Sequence, residues 1–223
     1  MVMVSTGMSV RSNMAIRARQ PDIKVSFFSD EDVENMLAYV DERIHADSKR
    51  RGYHKRYQLL LKTLLRTGAR ISEALMLKPS DINLQTGTIT IVTLKKDPRK
   101  NPAADLKPYA ARKLPKRTLP LHPDLKDAMM QYFLEMHVDV RSDALLFPIT
   151  RGSVDNYLTK MEKSLGIKVN AHKFRHTFAV TAIMDNVPLN VLQQWLGHSS
   201  IFTTSIYTQI TGMDTSQFME RIR

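Results

Sequence analysis

The alternation of apolar and polar positions divides the chain into a helical first part, a short β segment and a second helical part. Ser29 followed by Asp30, Glu31 and Asp32 marks a helix start. There a hydroxyl can cap free backbone N–H groups, and carboxylates sit at the positive end of the helix dipole. This helix is expected to run to about Ala46. Across residues 53–66, Tyr57, Leu60, Leu61, Leu64 and Leu65 share one face, the spacing of an amphipathic helix buried along that face. Thr67-Gly68 breaks it, and a further short helix is expected over 69–77, stopped at Pro79. Residues 88–94 are β-branched and alternating, which predicts a strand, with 117–121 as its candidate partner. Beyond Pro123 the pattern predicts helices over 124–137, 152–165, 172–185, 189–196 and 202–209, with Pro188 in the first turn of the fourth. Trp195, the only tryptophan, is expected in the core or wedged between helices. The pattern contains no internal repeat and no low-complexity tract. The fold class that follows is mainly α with a small antiparallel β-sheet (α+β), in one domain.

Composition narrows the function classes. The 223 residues are 43% hydrophobic and 25% charged, as in ordinary globular proteins, and no apolar run approaches a membrane span. Residues 1–20 are methionine-rich and basic without a sustained period. They read as a flexible basic arm, reaching to about residue 25, with no signal-peptide core. There is no cysteine, which removes disulfides, thiol nucleophiles and thiolate metal sites and fits a reducing cytoplasm. The formal net charge of +11 favours a polyanionic partner, and nucleic acid is the commonest. Part of that charge is concentrated in the connection between the two strands, residues 95–118. It holds nine Lys or Arg against Asp97 and Asp105, and four prolines. A connection this long tends to be functional or mobile. Its Arg99, Lys100, Lys107, Arg112, Lys113, Lys116 and Arg117 are candidate DNA contacts, against the plainer reading of a solvated loop.

Three constellations carry candidate chemistry. Arg70 follows Thr67-Gly68-Ala69 at a helix start, where a cation opposes the dipole and needs another partner. Glu73 one turn later supplies one. In His172-Lys173-Phe174-Arg175-His176, positions 172 and 175 share a helical face and form a donor pair suited to a phosphate, while His176 is structural or a helper at the edge. Leu196-Gly197-His198-Ser199-Ser200 is followed by Thr203-Thr204-Ser205-Ile206-Tyr207, nine residues separating His198 from Tyr207. Taken singly, each has a plain structural explanation: a local ion pair, a chance His-x-x-Arg, a half-buried tyrosine.

Taken together, Thr-Gly-Ala-Arg-Ile-Ser-Glu, His-Lys-Phe-Arg-His and Leu-Gly-His-Ser…Thr-Thr…Ile-Tyr resemble, in order and spacing, the three motif boxes of the tyrosine recombinase (phage integrase) family. The similarity extends from about Ser26 to Gln209 and implies that residues 26–210 form a tyrosine recombinase catalytic domain of the DNA breaking–rejoining type. It implies that Arg70 and Arg175 clamp the scissile phosphate, and that His172 and His198 add hydrogen bonds. Tyr207 would attack phosphorus to give a 3′-phosphotyrosyl link. It also implies a lysine on the β-hairpin as general acid, Lys95 with Lys96 as its rival, and Glu73 as support for the first arginine. No metal or other cofactor is expected, since fixed cations stabilise the charge that develops. The implied partners are double-stranded DNA, a homotetramer on two recombination sites and accessory DNA-bending proteins. The implied place is the cytoplasm, on the nucleoid when bound, with no membrane.

The resemblance has a gap and leaves competing outcomes. Family members commonly carry a separate helical core-binding domain ahead of the catalytic one. Only 25 residues precede Ser26, so that domain is expected to be absent, as in the small fimbrial invertases, or else the sequence is a truncated piece. Residues 211–223 form a tail whose Met213, Phe218, Met219 and Ile222 pack either on a neighbouring subunit or on their own domain. Site-specific recombination is the leading expectation. The alternatives are nicking and closing of one duplex, as in type IB topoisomerases, and a DNA-binding regulator with an unused site.

Overall fold

The computed structural model describes residues 26–94, 114–198 and Thr204. Helix α1 spans Asp30–Ala46 and starts on a reciprocal cap. The Asp32 N–H donates to Ser29 Oγ at 3.1 Å and the Ser29 N–H to the Asp32 carboxylate at 3.1 Å. Helix α2, Arg51–Thr67, is central: it packs on α1 and later helices and buries Tyr57, Leu60, Leu61, Leu64 and Leu65, as the spacing required. Burial of each leucine contributes about 1.5–3 kcal/mol. Gly68 closes α2 at φ +60°, its N–H donating to the Leu64 carbonyl at 3.1 Å. A Cβ there would lie 2.4 Å from Phe178 Cδ1 and 2.8 Å from Leu196 Cδ2, so both the backbone angle and two approaching side chains require glycine.

Helix α3 is shorter than the sequence pattern predicts, Ile71–Ala74 rather than 69–77. Its last bonds tighten, Met76 N–H reaching Glu73 O at 3.2 Å and Leu77 N–H reaching Ala74 O at 3.1 Å. Lys78 is extended (φ −117°, ψ 154°), the conformation that the following Pro79 imposes on it. A 3₁₀ turn, Pro79–Asp81, leads into β1, Ile82–Asn83, a strand too short to show a pattern in the sequence. β2, Thr88–Val92, and β3, Lys116–Pro120, complete an antiparallel sheet in the order β1-β2-β3. Ile89 pairs with Leu119 and Ile91 with Arg117 on the inward face. Thr90 and Thr118 pair on the outer face, their hydroxyls 3.1 Å apart. β3 thus matches the strand expected over 117–121 within one residue at each end, and Lys116, Arg117 and Thr118, counted also in the 95–118 connection, belong to the sheet.

The remaining helices are α4, Pro123–Glu135; α5, Arg151–Leu165; α6, Ala171–Met184; and α7, Leu189–Leu196. They match the expected spans within one or two residues, except that Pro188 is the N-cap of α7 and not in its first turn. The helix expected over 202–209 lies outside the described residues. α6 crosses α2 and pairs with α7, where Ala179, Val180, Ile183, Leu192 and Leu196 are buried. α7 also rests on β3, with half-buried Trp195 against Phe178 at 6.2 Å between ring centroids. The ends of α2 and α7, the start of α3 and the base of the β2–β3 pair thus meet. Among the described residues, no helix is long and apolar enough to cross a membrane.

Gly68→Ala should destabilise the domain by about 2 kcal/mol or more, combining the left-handed backbone penalty with overpacking. Urea denaturation checks this, and a midpoint equal to the parent's would contradict the packing described for the α2–α6–α7 junction.

Candidate active site

The site is organised on Glu73, whose side chain is fully buried one turn into α3. Its Oε1 accepts from Arg70 Nη1 at 2.9 Å and from the Leu94 N–H at 3.1 Å. Its Oε2 accepts from the Arg70 N–H at 3.1 Å and from Arg117 Nη2 at 2.8 Å. Burial alone raises the pKa of such a carboxyl. The hydrogen bond and charge of Arg117, then those of Arg70, outweigh it and hold Glu73 below its ordinary value, so it is ionised. Arg70 is the N-cap of α3, and its side chain remains 37% exposed while Glu73 grips one edge. The local ion pair read from the sequence is present, and it orients the guanidinium without hiding it.

Arg117 corrects an expectation. It does not face outward toward DNA: its side chain is 7% exposed. Besides Glu73, it donates from Nε to the Trp195 carbonyl at 2.7 Å and from Nη1 to Thr93 Oγ1 at 3.0 Å. The physical reason is register, because position 117 is in phase with inward-facing Leu119 and opposite Ile91. The neighbouring Lys116 is 57% exposed, with Nζ 3.5 Å from Asp81 Oδ1. Lys95, Lys96, Arg99, Lys100, Lys107, Arg112, Lys113 and Tyr207 lie outside the described residues.

Arg175, 5% exposed on α6, joins the two turns that carry the other site residues. It donates from Nη1 to the Gly68 carbonyl and from Nη2 to the Leu196 carbonyl, each at 2.6 Å. Both acceptors are helix-terminal carbonyls, which lack intrahelical partners and carry the negative end of the dipole. Gly68 stands two residues before Arg70 and Leu196 two before His198, so one side chain fixes both turns relative to α6. His172 lies exposed in the first turn of α6, which Asn170 caps by accepting from the Lys173 N–H at 3.0 Å. Its ring is 6.4 Å from that of His176, whose pKa is lowered by burial and then by His172 and Arg175.

His198 follows the left-handed Gly197 that ends α7. Its Nδ1 is 2.9 Å from Oγ1 of buried Thr204. Burial, and then the charges of Arg175, Arg70 and Arg117, press its pKa to about 4, with Glu73 opposing. The ring is therefore neutral near pH 7, with one nitrogen to donate and one to accept. Arg70, Glu73, Arg175 and His198 are thus gathered in one place from separate sequence boxes. Thr93, the contact of Thr204 with His198 and the inward role of Arg117 are not visible in the sequence pattern. The common parity of Arg117, Leu119 and Leu121 is the signal that points Arg117 inward. Two guanidiniums with imidazole donors suit an anion with several oxygens, and phosphate above all. Among the described residues, no group of three or more His, Asp or Glu side chains converges as a cation site.

The fold and these motifs define a member of the phage integrase family, to which the chain belongs: the match covers residues 26–212. The tyrosine recombinase XerS of Streptococcus pneumoniae (strain Hungary19A-6) is 29% identical over 216 residues, covering 93% of this chain and 58% of XerS. The chain thus spans less than two thirds of that relative. Among solved structures, the XerH site-specific recombinase bound to a palindromic difH substrate, a post-cleavage complex, is 26% identical with a TM-score of 0.59 over 88% of this chain and 52% of XerH. The catalytic domain of bacteriophage HP1 integrase, at 23% identity and a TM-score of 0.59, covers 88% of this chain and 95% of that domain, which shows the shared fold.

The half-buried, neutral His198 predicts a pH dependence. Its folded pKa of about 4 lies below its ordinary 6.5, so in that interval the unfolded chain binds a proton that the folded one does not. Stability should fall as pH drops through that window, and less steeply in His198→Asn. Urea midpoints measured across the window test this; equal slopes for the two proteins would contradict the assigned environment.

Proposed function

We propose that this chain is the catalytic domain of a site-specific DNA recombinase that cleaves and rejoins DNA through a 3′-phosphotyrosyl intermediate. The observation that carries the reading is the convergence of Arg70 and Arg175 with neutral His198 around ionised Glu73. In this reading Arg70 and Arg175 bind the non-bridging oxygens of the scissile phosphate. His172 and His198 supply further hydrogen bonds, and Tyr207 is the nucleophile. A phenol with a pKa near ~10 is weakly nucleophilic at neutral pH, so the adjacent cations favour the phenolate as it forms. The same cations stabilise the charge that accumulates on phosphorus oxygens in the transition state.

The step balances without a co-reactant. A bond forms between the Tyr207 oxygen and phosphorus as the phenol proton passes to a site histidine, His172 or His198, and the bond from phosphorus to the 5′ oxygen breaks. The departing oxygen takes a proton from Lys95, or from Lys96 one position on. Rejoining reverses the step with a 5′-hydroxyl from the same or another strand, so no ATP is consumed. Double-stranded DNA is the proposed partner, in keeping with the XerH complex, and a homotetramer on two sites is the proposed assembly, with DNA-bending proteins as accessories. Arg99, Lys100, Lys107, Arg112, Lys113 and exposed Lys116 are proposed to contact the DNA backbone, where each phosphate contact would add salt dependence.

Incubation with a nicked duplex carrying the DNA that flanks the coding sequence tests this reading. The expected result is a covalent protein–DNA adduct on a denaturing gel that disappears in Tyr207→Phe. An undiminished adduct in that variant would reject Tyr207 as nucleophile, and no adduct on cognate DNA would reject the recombinase reading.

A further inference from the structure

We propose that Arg117 is a positioning residue for the recombinase site: its forked guanidinium locks the hairpin base, the Glu73–Arg70 pair and the end of α7 in the one arrangement that presents Arg70 and His198 to the same phosphate. The inference rests on the recombinase reading above. Each nitrogen of the guanidinium has its own partner on a different segment. Nη2 meets Glu73 Oε2 at 2.8 Å, Nη1 meets Thr93 Oγ1 at 3.0 Å, and Nε meets the Trp195 carbonyl at 2.7 Å. Those segments are the ones that hold the site. Glu73 orients Arg70 through two further bonds, and the Leu94 N–H at the end of the hairpin base shares the same carboxylate. Trp195 precedes Gly197 and His198 by two and three residues.

The side-chain stem completes the lock. A Cβ at Gly197 would lie 3.2 Å from Arg117 Cδ and 3.2 Å from Thr93 Cγ2, so the glycine before His198 lies directly on this pair. Charge adds to the geometry. One buried carboxylate is shared by two guanidiniums, Arg117 buried at 7% and Arg70 open at 37%. Arg117 binds Oε2, while the Arg70 guanidinium holds Oε1 through Nη1 alone and stays open to another anion. Lysine cannot reproduce this, because an ammonium lacks the planar fork that reaches three acceptors in fixed directions.

The experiment compares Arg117→Met, Arg117→Lys and Thr93→Val with the parent, below their unfolding transitions. It measures single-turnover adduct formation on the nicked duplex, the Kd for that DNA, and its salt dependence. For Arg117→Met, cleavage should slow by about 10²-fold, the scale of a misplacement near 1 Å. The Kd should stay within about 3-fold and its salt slope should be unchanged. Arg117→Lys should recover part of the rate, and Thr93→Val should show a smaller loss than Arg117→Met. A weaker Kd with the salt slope reduced by about 1 would make Arg117 a phosphate contact and overturn the proposal. Parent-like cleavage with only a lower Tm would also overturn it, leaving a purely structural role. If Arg117→Met does not fold, the same comparison for Arg117→Lys decides in the same way. Absence of adduct with the parent protein itself would instead reject the recombinase reading.

Discussion

The ionised carboxylate of Glu73, fully buried and met by four donors, is the interaction on which the rest of the site depends. An ion removed from water costs several kcal/mol even after relaxation, and only well-placed donors offset that cost. Here the donors come from the start of α3, the end of the hairpin base and β3. The need to satisfy one charge therefore determines where three separate segments stop. The arrangement has an asymmetry with a chemical use. Arg117 is sealed inside by its three bonds, whereas Arg70 is held by one edge and stays accessible. A guanidinium fixed in this way needs little reorganisation when an anion arrives, which is the condition for effective electrostatic stabilisation of a transition state.

Arg175 does the complementary work from the other side. Helix ends expose carbonyls without partners, and α2 and α7 end within reach of a single side chain on α6. By accepting from Arg175, Gly68 and Leu196 hold the turns leading to Arg70 and His198. Gly68 allows this because its missing Cβ admits Phe178 and Leu196 so closely. Burial, and then the cations so assembled, keep His198 neutral, and the buried Thr204 hydroxyl holds its ring. Packing, capping and electrostatics converge on one small region.

Much of this was legible in the sequence because it is local. Ser29 with Asp32 announces a capped helix, the 57–60–61–64–65 stripe announces a buried face, and Arg70 with Glu73 announces a pair one turn apart. The three motif boxes added what no single residue could, since Arg70, Arg175 and His198 each have a plausible structural explanation alone. What escaped was set by long-range pairing. The two-residue β1 has no pattern of its own, and α3 is cut short by the chain's approach to Pro79. Arg117 stands at the start of the predicted strand, where its charge reads as one more DNA contact of the basic connection. Its true place depends on its register opposite Ile91 and on a carboxylate 44 positions earlier in the chain. Thr93 is unremarkable in sequence, and Thr204, although in the third motif box, shows no partner there, because those partners arrive only when the hairpin base and α7 have packed.

The central claim is that these cations serve a tyrosine attacking a DNA phosphate. The most direct test is to trap the protein on a nicked cognate duplex, digest protein and DNA, and locate the residual nucleotide by mass spectrometry. The account predicts a nucleotide joined through its 3′ phosphate to the peptide containing Tyr207. Attachment to a different residue, or through a 5′ phosphate, would contradict it.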